Sequence, residues 1–415
     1  MKLTDEEQRM YNGECGPTVA QAMDYLVRFG EACEAESMVD ISYAHVAAGR
    51  AGGLKDIHGV PELAKAGARV VVPTTTEVCG VDVEQWQLME MPEEVAQQQI
   101  NTIPDHIKMG IAGTYSCTPY LLGYLPPKGS HISSIESSAV VYFNSVLGAR
   151  TNRDGPFAIY AAITGKYPLC GYHLNENRKG THLVHVETKL NGPTDYAALG
   201  FCIGEIVCGG VPVITGLTSP RQEELIAMGA AMATSGYIAL YHIPGITAEC
   251  RTPEEVFIKG TSYDEFSINN NDIRKVYEKL TTAKSDTVDF VHLGCPHYNL
   301  EQIRQVAILV NGRKVHKDVK FWVFTDRGTK AMANLMGYSD VIKDAGGLVA
   351  CDTCGISALN QNIRRIYNLT VPAVSNMITD SVKQAKYANE SIGCTTILAK
   401  LEDCIEAAVT GKGVY

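Results

Sequence analysis

The stretch from residue 289 to residue 355, DFVHLGCPHYNLEQIRQVAILVNGRKVHKDVKFWVFTDRGTKAMANLMGYSDVIKDAGGLVACDTCG, decides the fold. Three short apolar runs, Asp289–Gly294 (DFVHLG), Lys320–Thr325 (KFWVFT) and Gly347–Cys351 (GLVAC), read as strands. Between them lie the helical stretches Leu300–Val310 and Thr329–Met336. Strands alternating with helices imply α/β layers around largely parallel sheets. The pattern continues on both sides. Ala68–Pro73 (ARVVVP), Val371–Asn376 and Cys394–Leu398 are further strand candidates, and Glu402–Val409 is an amphipathic helix. The chain opens on a helix, with Thr4 and Glu7 spaced as a capping box and Ala20, Met23, Leu26 and Val27 at helical spacing. From about Gly110 to Gly216 the sequence is richer in Gly, Ser, Thr and Asn and reads as loops on a scaffold. The approximate subdomains are 1–110, 111–285 and 286–415.

Composition narrows the function. The 415 residues are 45% hydrophobic and 20% charged, with a net charge of −10, which argues against nucleic acid as a partner. A few local cations still suffice for a small anionic substrate. The opening MKLTDEEQRMYNGE has no apolar core of a signal peptide, and no apolar run is long enough for a membrane helix. A cytoplasmic protein with its thirteen cysteines reduced is the expectation.

Three cysteines stand out by context. Cys117 lies in the polar turn TYSCTPYLLG. Cys295 ends the strand DFVHLG, and Cys354 follows the strand GLVA in CDTCG. Open α/β sheets bind ligands beyond the carboxyl ends of their strands, which is where Cys295 and Cys354 fall. Three thiolates leave one position of a four-coordinate iron open, and such a metal can polarise a hydroxyl. Spacing alone equally allows buried core thiols, or a redox or zinc half-site at Cys351 and Cys354.

Other stretches carry polar groups. ESSAVVYFNSVLGARTNRDG (136–155) places Asn144, Arg150, Thr151 and Asn152 after a buried-looking run, and Arg150 offers a fork for a carboxylate or phosphate. A helix with a solvated polar end fits it equally. YHLNENRKGTHL (172–183) reads as a surface loop, and the threonines of VVPTTTEVCGVD (71–82) as an ST-turn or a substrate contact.

Taken together, these stretches resemble the aconitase X family, a divergent branch of the aconitase superfamily. The resemblance runs through AGARVVVPTT, SCTPYLLG, the 136–155 block, AAITGKYP, YHLNENRKGTHL, LGCPH, DTCG, SVKQAKY and EAAVTGK. It implies an aconitase-like catalytic body of several α/β/α layers, without the swivel domain. It implies an iron–sulfur cluster (2Fe–2S or 4Fe–4S) or a mononuclear iron on Cys117, Cys295 and Cys354. It also implies catalytic roles for Arg150, Ser137 and Asn152, and substrate contacts at Glu77, Asn144, Thr151 and His45. Glu77 stands where the family usually carries asparagine, and AGRAGGLKDIHG (48–59) replaces another family segment. The implied reaction is dehydration of a small anionic hydroxy acid, with a small swivel-domain subunit supplying the base. Glu77, His45 and His58 are the internal bases that rival it. The absence of a thermophile's charge enrichment favours cis-3-hydroxy-L-proline as substrate over the alternative, mevalonate 5-phosphate. A non-catalytic or redox iron–sulfur protein is the reading of a different class.

Overall fold

The computed structural model of the chain describes residues 1–48, 59–359 and 374–414. Its largest sheet has five strands in the order Leu348–Cys351, Lys320–Thr325, Phe290–Tyr298, Asn376–Thr379, Thr395–Leu398, and every neighbouring pair is parallel. The chain starts in the middle of this sheet, builds to one edge, then returns to build the other side. The direction reverses between Phe290–Tyr298 and Asn376–Thr379, and such a switch opens a crevice beyond the strand ends.

These strands are apolar on both faces because both faces are covered. Ile303, Val306, Val310 and Ile405 pack on one side, and Phe290, Trp322, Phe324 and Met377 meet Val81, Met89 and Val95 on the other. The covering helix Leu300–Val310 is fixed by a capping box, in which the Asn299 side chain accepts from the Gln302 amide and the Gln302 side chain reciprocates. The opening helix Asp5–Tyr11 carries the box expected at Thr4 and Glu7.

Two smaller sheets complete the parallel layers. In one, Ala44–Val46 lies between Thr74–Thr76 and Ser133–Ser134; in the other, His182–Val186 lies between Pro212–Thr215 and Asp264–Ile268. Met38–Asp40 and Lys166–Pro168 form an antiparallel pair. No separate swivel unit stands among the described residues.

Several expectations need correction. Ala68–Pro73 is not a strand: the Val70 and Val71 amides bond to Met109 O and Ala162 O instead of a ladder, and Pro73 has no amide to give. The strand is the next triplet, Thr74–Thr76, fully buried, so those threonines are not a surface ST-turn. Phe290–Tyr298 runs on past Gly294, with a register shift against Lys320–Thr325, so Cys295 lies within the strand. Of Val371–Asn376, residues 371–373 lie outside the described residues, and the observed strand starts at Asn376.

The stretch from 110 to 216 mixes loops, turned by glycines such as Gly123, Gly129 and Gly192 at positive φ, with the helices Ser137–Ser145 and Phe157–Thr164. Near its end the helix Pro193–Val207 packs closely on the following helix Gln222–Gly236 because glycines line the contact. A Cβ on Gly200 would stand 2.2 Å from Met228 O, and one on Gly236 1.9 Å from Gly204 O. Gly200 and Gly204 therefore serve close helix packing and not a turn. The 172–183 stretch is not a surface loop either, since His173 and Arg178 are buried.

Candidate active site

The three cysteines arrive from separate elements. Cys117 sits in a segment stitched to the end of Thr74–Thr76, where the Ser116 amide donates to Thr76 O at 3.1 Å. Cys295 lies at the switch point of the large sheet. Cys354 precedes the short helix Gly355–Ala358. One imidazole fastens all three neighbourhoods. The His297 backbone amide donates to Cys117 Sγ (3.3 Å), and His297 is two residues from Cys295. Its Nε2 lies 2.8 Å from Thr353 O and its Nδ1 3.2 Å from Ser116 Oγ. A carbonyl only accepts, so Nε2 carries the proton and Nδ1 accepts from the Ser116 hydroxyl. Burial keeps this ring uncharged. Cys295 interacts electrostatically with both Cys117 and Cys354. Ser381, just past Asn376–Thr379, donates its hydroxyl to Cys295 O across the switch point.

Acids and a lysine border this cluster. Glu136 caps the helix Ser137–Ser145, accepting from the Ser138 amide (3.1 Å) and hydroxyl (2.6 Å) and from the Ser137 hydroxyl (3.4 Å). Lys383, from the helix Val382–Tyr387, reaches Glu136 at 2.6 Å and interacts electrostatically with Cys117 and Cys295. Burial opposes ionisation of Glu136, but Lys383 and Ser138 outweigh it and hold its carboxyl well below the ordinary range. Glu77 is the opposite case. Burial, and then the neighbouring Glu136 charge, push its carboxyl well above the ordinary range, so it keeps its proton. His45 Nε2 lies 3.1 Å from Glu77, and His45 Nδ1 lies 2.8 Å from Thr75 Oγ1, which also bonds Tyr43. Burial pushes the His45 pKa down to about 4, so the ring is uncharged.

The structure brings together Cys117, Cys295, Cys354, Glu77, His45 and, through Glu136, Ser137. It does not bring the other sequence candidates to this cluster. Asn144 is a clamp: its amide donates to Thr151 O (2.8 Å) and Ala239 O (3.0 Å), while its carbonyl accepts from the Thr151 amide and Arg178. The Thr151 hydroxyl bonds Asn152 O, and Asn152 holds Cys170 O and the Tyr172 amide. Arg150 donates to His173 O (3.0 Å) and Asn175 (2.5 Å), with Glu249 3.8 Å away. His58 lies outside the described residues.

Sequence reasoning missed Glu136, His297 and Lys383. Glu136 carries a legible signal, a carboxylate at the cap position of an apolar helix. Lys383 has no local signal, because its role depends on a partner 247 residues away.

Among the described residues, Asp82, Cys351 and Asp352 bring ligand atoms within 4.8 Å of one another, and the three site cysteines form no such group. Charge balance argues against a metal at the former. Asp82 meets Lys330 at 3.1 Å and the Cys351 amide at 2.9 Å, and Asp352 pairs with Arg327. These pairs lock the loop after Thr74–Thr76 onto the edge of the large sheet. They also give Cys351 surroundings different from those of Cys354, which bonds Ser357.

Parallel sheets whose carboxyl ends converge on cysteines, a protonated acid and a lysine define a class of α/β enzyme with its centre in the crevice between sheets. Comparison with known proteins gives the particular family. Models of the aconitase X first, second and third domains match residues 1–176, 180–278 and 288–410. The phosphomevalonate dehydratase large subunit of Methanothermobacter thermautotrophicus is 44% identical over 361 residues, covering 86% of this chain and 88% of that protein. The cis-3-hydroxy-L-proline dehydratase of Pseudomonas aeruginosa is 32% identical over 99% of this chain but only 70% of its own length. The crystal structure of Thermococcus kodakaraensis aconitase X (holo-form) matches with a TM-score of 0.86 at 33% identity, covering 98% of this chain and all of that one. The chain belongs to the aconitase X family and is a dehydratase, a hydro-lyase. No helix among the described residues is long and apolar enough to cross a membrane.

Proposed function

We propose that this chain is the large subunit of a phosphomevalonate dehydratase, removing water from mevalonate 5-phosphate. The observation that carries an elimination centre is the meeting of Cys117, Cys295 and Cys354 beside Glu77, Glu136 and Lys383. The choice of substrate rests on the relatives, since the large subunit named above is more similar than the cis-3-hydroxy-L-proline dehydratase. This reverses the preference drawn from composition. Charge enrichment tracks growth temperature and carries no information about a substrate.

The donor set fits iron. Burial, first of all, holds the three cysteines as thiols, with that of Cys295 pushed up to about 12. Nearby carboxylates add to this, so a thiolate set requires a cation to join it. Cys117, Cys295 and Cys354 would hold the iron or iron–sulfur cluster, which when bound supplies a Lewis-acid position for the departing hydroxyl.

The chain's own residues supply the surroundings. Glu77 holds a proton on its carboxyl beside the site, placed to meet a departing hydroxide. His45, tied to Thr75, fixes the carboxyl's direction. Lys383 holds Glu136 ionised and offers the cation nearest the cysteines. None of these is a ready base: Lys383 is charged, Glu77 is protonated, Glu136 is ionised but held by Lys383 and Ser138 well below the ordinary carboxylate range, and both His45 nitrogens are engaged. That supports a base from a separate small subunit. A specific observation favours the second substrate. The recess bordered by Cys295 and Lys383 also presents Asp380, a carboxylate that suits the ring ammonium of cis-3-hydroxy-L-proline, while Glu223 there is already paired with Arg221.

The test is to load the chain with iron and sulfide without oxygen, add a small subunit, and follow both substrates by NMR. The expected result is an alkene from mevalonate 5-phosphate only with both subunits present. Turnover of the hydroxyproline with none of the phosphate would overturn the assignment.

A further inference from the structure

Far along the chain from the site cysteines, Cys33 and Cys170 meet across a structural seam. Cys33 ends the helix Pro17–Ala32 and is exposed, whereas Cys170 is buried. The seam is built by the antiparallel pair Met38–Asp40 and Lys166–Pro168, in which Met38 faces Pro168. It is extended by the Leu169 amide donating to Ser37 O at 2.9 Å. The helix closes down on the same place, where a Cβ on Gly30 would stand 3.1 Å from the Pro168 side chain. The chain then turns back, with Glu34 at φ 57° and the Ala35 amide donating to Gly30 O. This brings Cys33 to the seam beside Cys170, and the two thiols interact electrostatically there.

We propose that Cys33 and Cys170 are a thiol–disulfide exchange site, which a small disulfide converts into an intramolecular cross-link. The exposed Cys33 sulfur, as thiolate, attacks the small disulfide RS–SR. A Cys33–SR bond forms, the RS–SR bond breaks, and one RS⁻ leaves. Cys170 gives up its proton and its sulfur attacks the Cys33 sulfur, forming the Cys33–Cys170 bond and expelling the second RS⁻. The two departing thiolates take up the two protons lost by the cysteines. Two protein thiols are oxidised and one small disulfide is reduced to two thiols. Burial pushes the Cys170 thiol up to about 12 and keeps it protonated, so the exposed Cys33 is the point of entry. The cross-link would pin the first long helix to the turn whose Cys170 carbonyl holds Asn152 and whose His173 carbonyl holds Arg150.

The experiment treats the iron-loaded protein with oxidised glutathione, blocks remaining thiols, and digests it with trypsin without reduction. Peptides 29–50 and 167–178 each contain a single cysteine. Mass spectrometry is expected to find them joined, with two thiols lost, a raised Tm and an unchanged visible spectrum. In Cys170→Ser the same treatment should instead leave glutathione attached to Cys33. A wild-type digest in which Cys33 stays free, or carries glutathione without any joined peptide, would overturn the proposal. Because that result is read on the wild-type protein, it stands even where the variant fails to fold. It is also independent of the substrate assignment.

Discussion

The two sheets that meet at the cysteines are built from opposite materials. The five-stranded sheet is a slab of Phe290, Val291, Leu293, Phe321, Val323, Met377 and Ile378, covered on both faces by apolar side chains. The three-stranded sheet beside it is made of Ala44–Val46, Thr74–Thr76 and Ser133–Ser134, as deeply buried but largely polar. The first is held by volume and contact. The second is held by partners: Thr75 by His45 and Tyr43, and Ser133 and Ser134 by Asp154. The apolar sheet supplies a rigid floor with Cys295 in it, while the polar sheet aims Glu77 and Glu136 at that floor. A buried polar strand costs stability unless its groups are satisfied; here the bonds to Thr75, Ser133 and the Ser134 amide fix directions for the site, and the Ser134 hydroxyl is left without a partner among the described residues.

The contrast can be broken from either side. Phe290→Ala removes a fully buried ring from the floor and should lower unfolding stability by about 3–5 kcal/mol by urea titration, while the folded fraction keeps its metal. Lys383→Met should cost about 2–4 kcal/mol, because it leaves the Glu136 carboxylate largely buried without its cation. Here turnover should also fall, by about 10²-fold or more. If Lys383→Met kept full activity, the acid–lysine group would not belong to the site.

The same difference explains what was legible in the sequence. Lys320–Thr325 and Leu300–Val310 were readable to the residue because hydropathy period and capping both pointed one way. Thr74–Thr76 was not, since three hydroxyls look like a turn until their partners are known: Val72 O for Thr74, Tyr43 and His45 for Thr75, and the Tyr115 amide for Thr76. The apolar ARVVVP just before it drew the strand assignment instead. Of the site, the cysteines and Glu77 were visible through local context and family resemblance. Arg150 was credited for its guanidinium, but its fork is already engaged by His173 and Asn175. Lys383 was invisible because an ion pair spanning two layers leaves no local pattern.

Thr75→Val sharpens the comparison at nearly constant volume. It strands the His45 Nδ1 and Tyr43 hydroxyl groups and should cost about 1–3 kcal/mol, read in the same urea titration. A neutral outcome would mean that the polar sheet is held by packing after all. At pH 7 the last substitution should change stability least, and its effect is read in the pH dependence. His292 is fully buried against Phe324, and burial pushes its pKa down to about 3. The folded chain therefore binds fewer protons there than the unfolded chain, whose histidine titrates near 6.5. Its contribution is complete above about pH 6.5 and is lost as the pH falls toward 3. His292→Leu should make the decline of stability between pH 6.5 and 4 shallower than in wild type.

The claim on which the rest depends is that Cys117, Cys295 and Cys354 form one iron site while Cys351 stands outside it. Iron and acid-labile sulfide per chain, measured after anaerobic loading of four single Cys→Ser variants, test it most directly. The account predicts that the variants at 117, 295 and 354 each lose most of the bound iron, and that Cys351→Ser keeps the wild-type amount. Wild-type iron in any of the first three, or loss confined to Cys351→Ser, would contradict it.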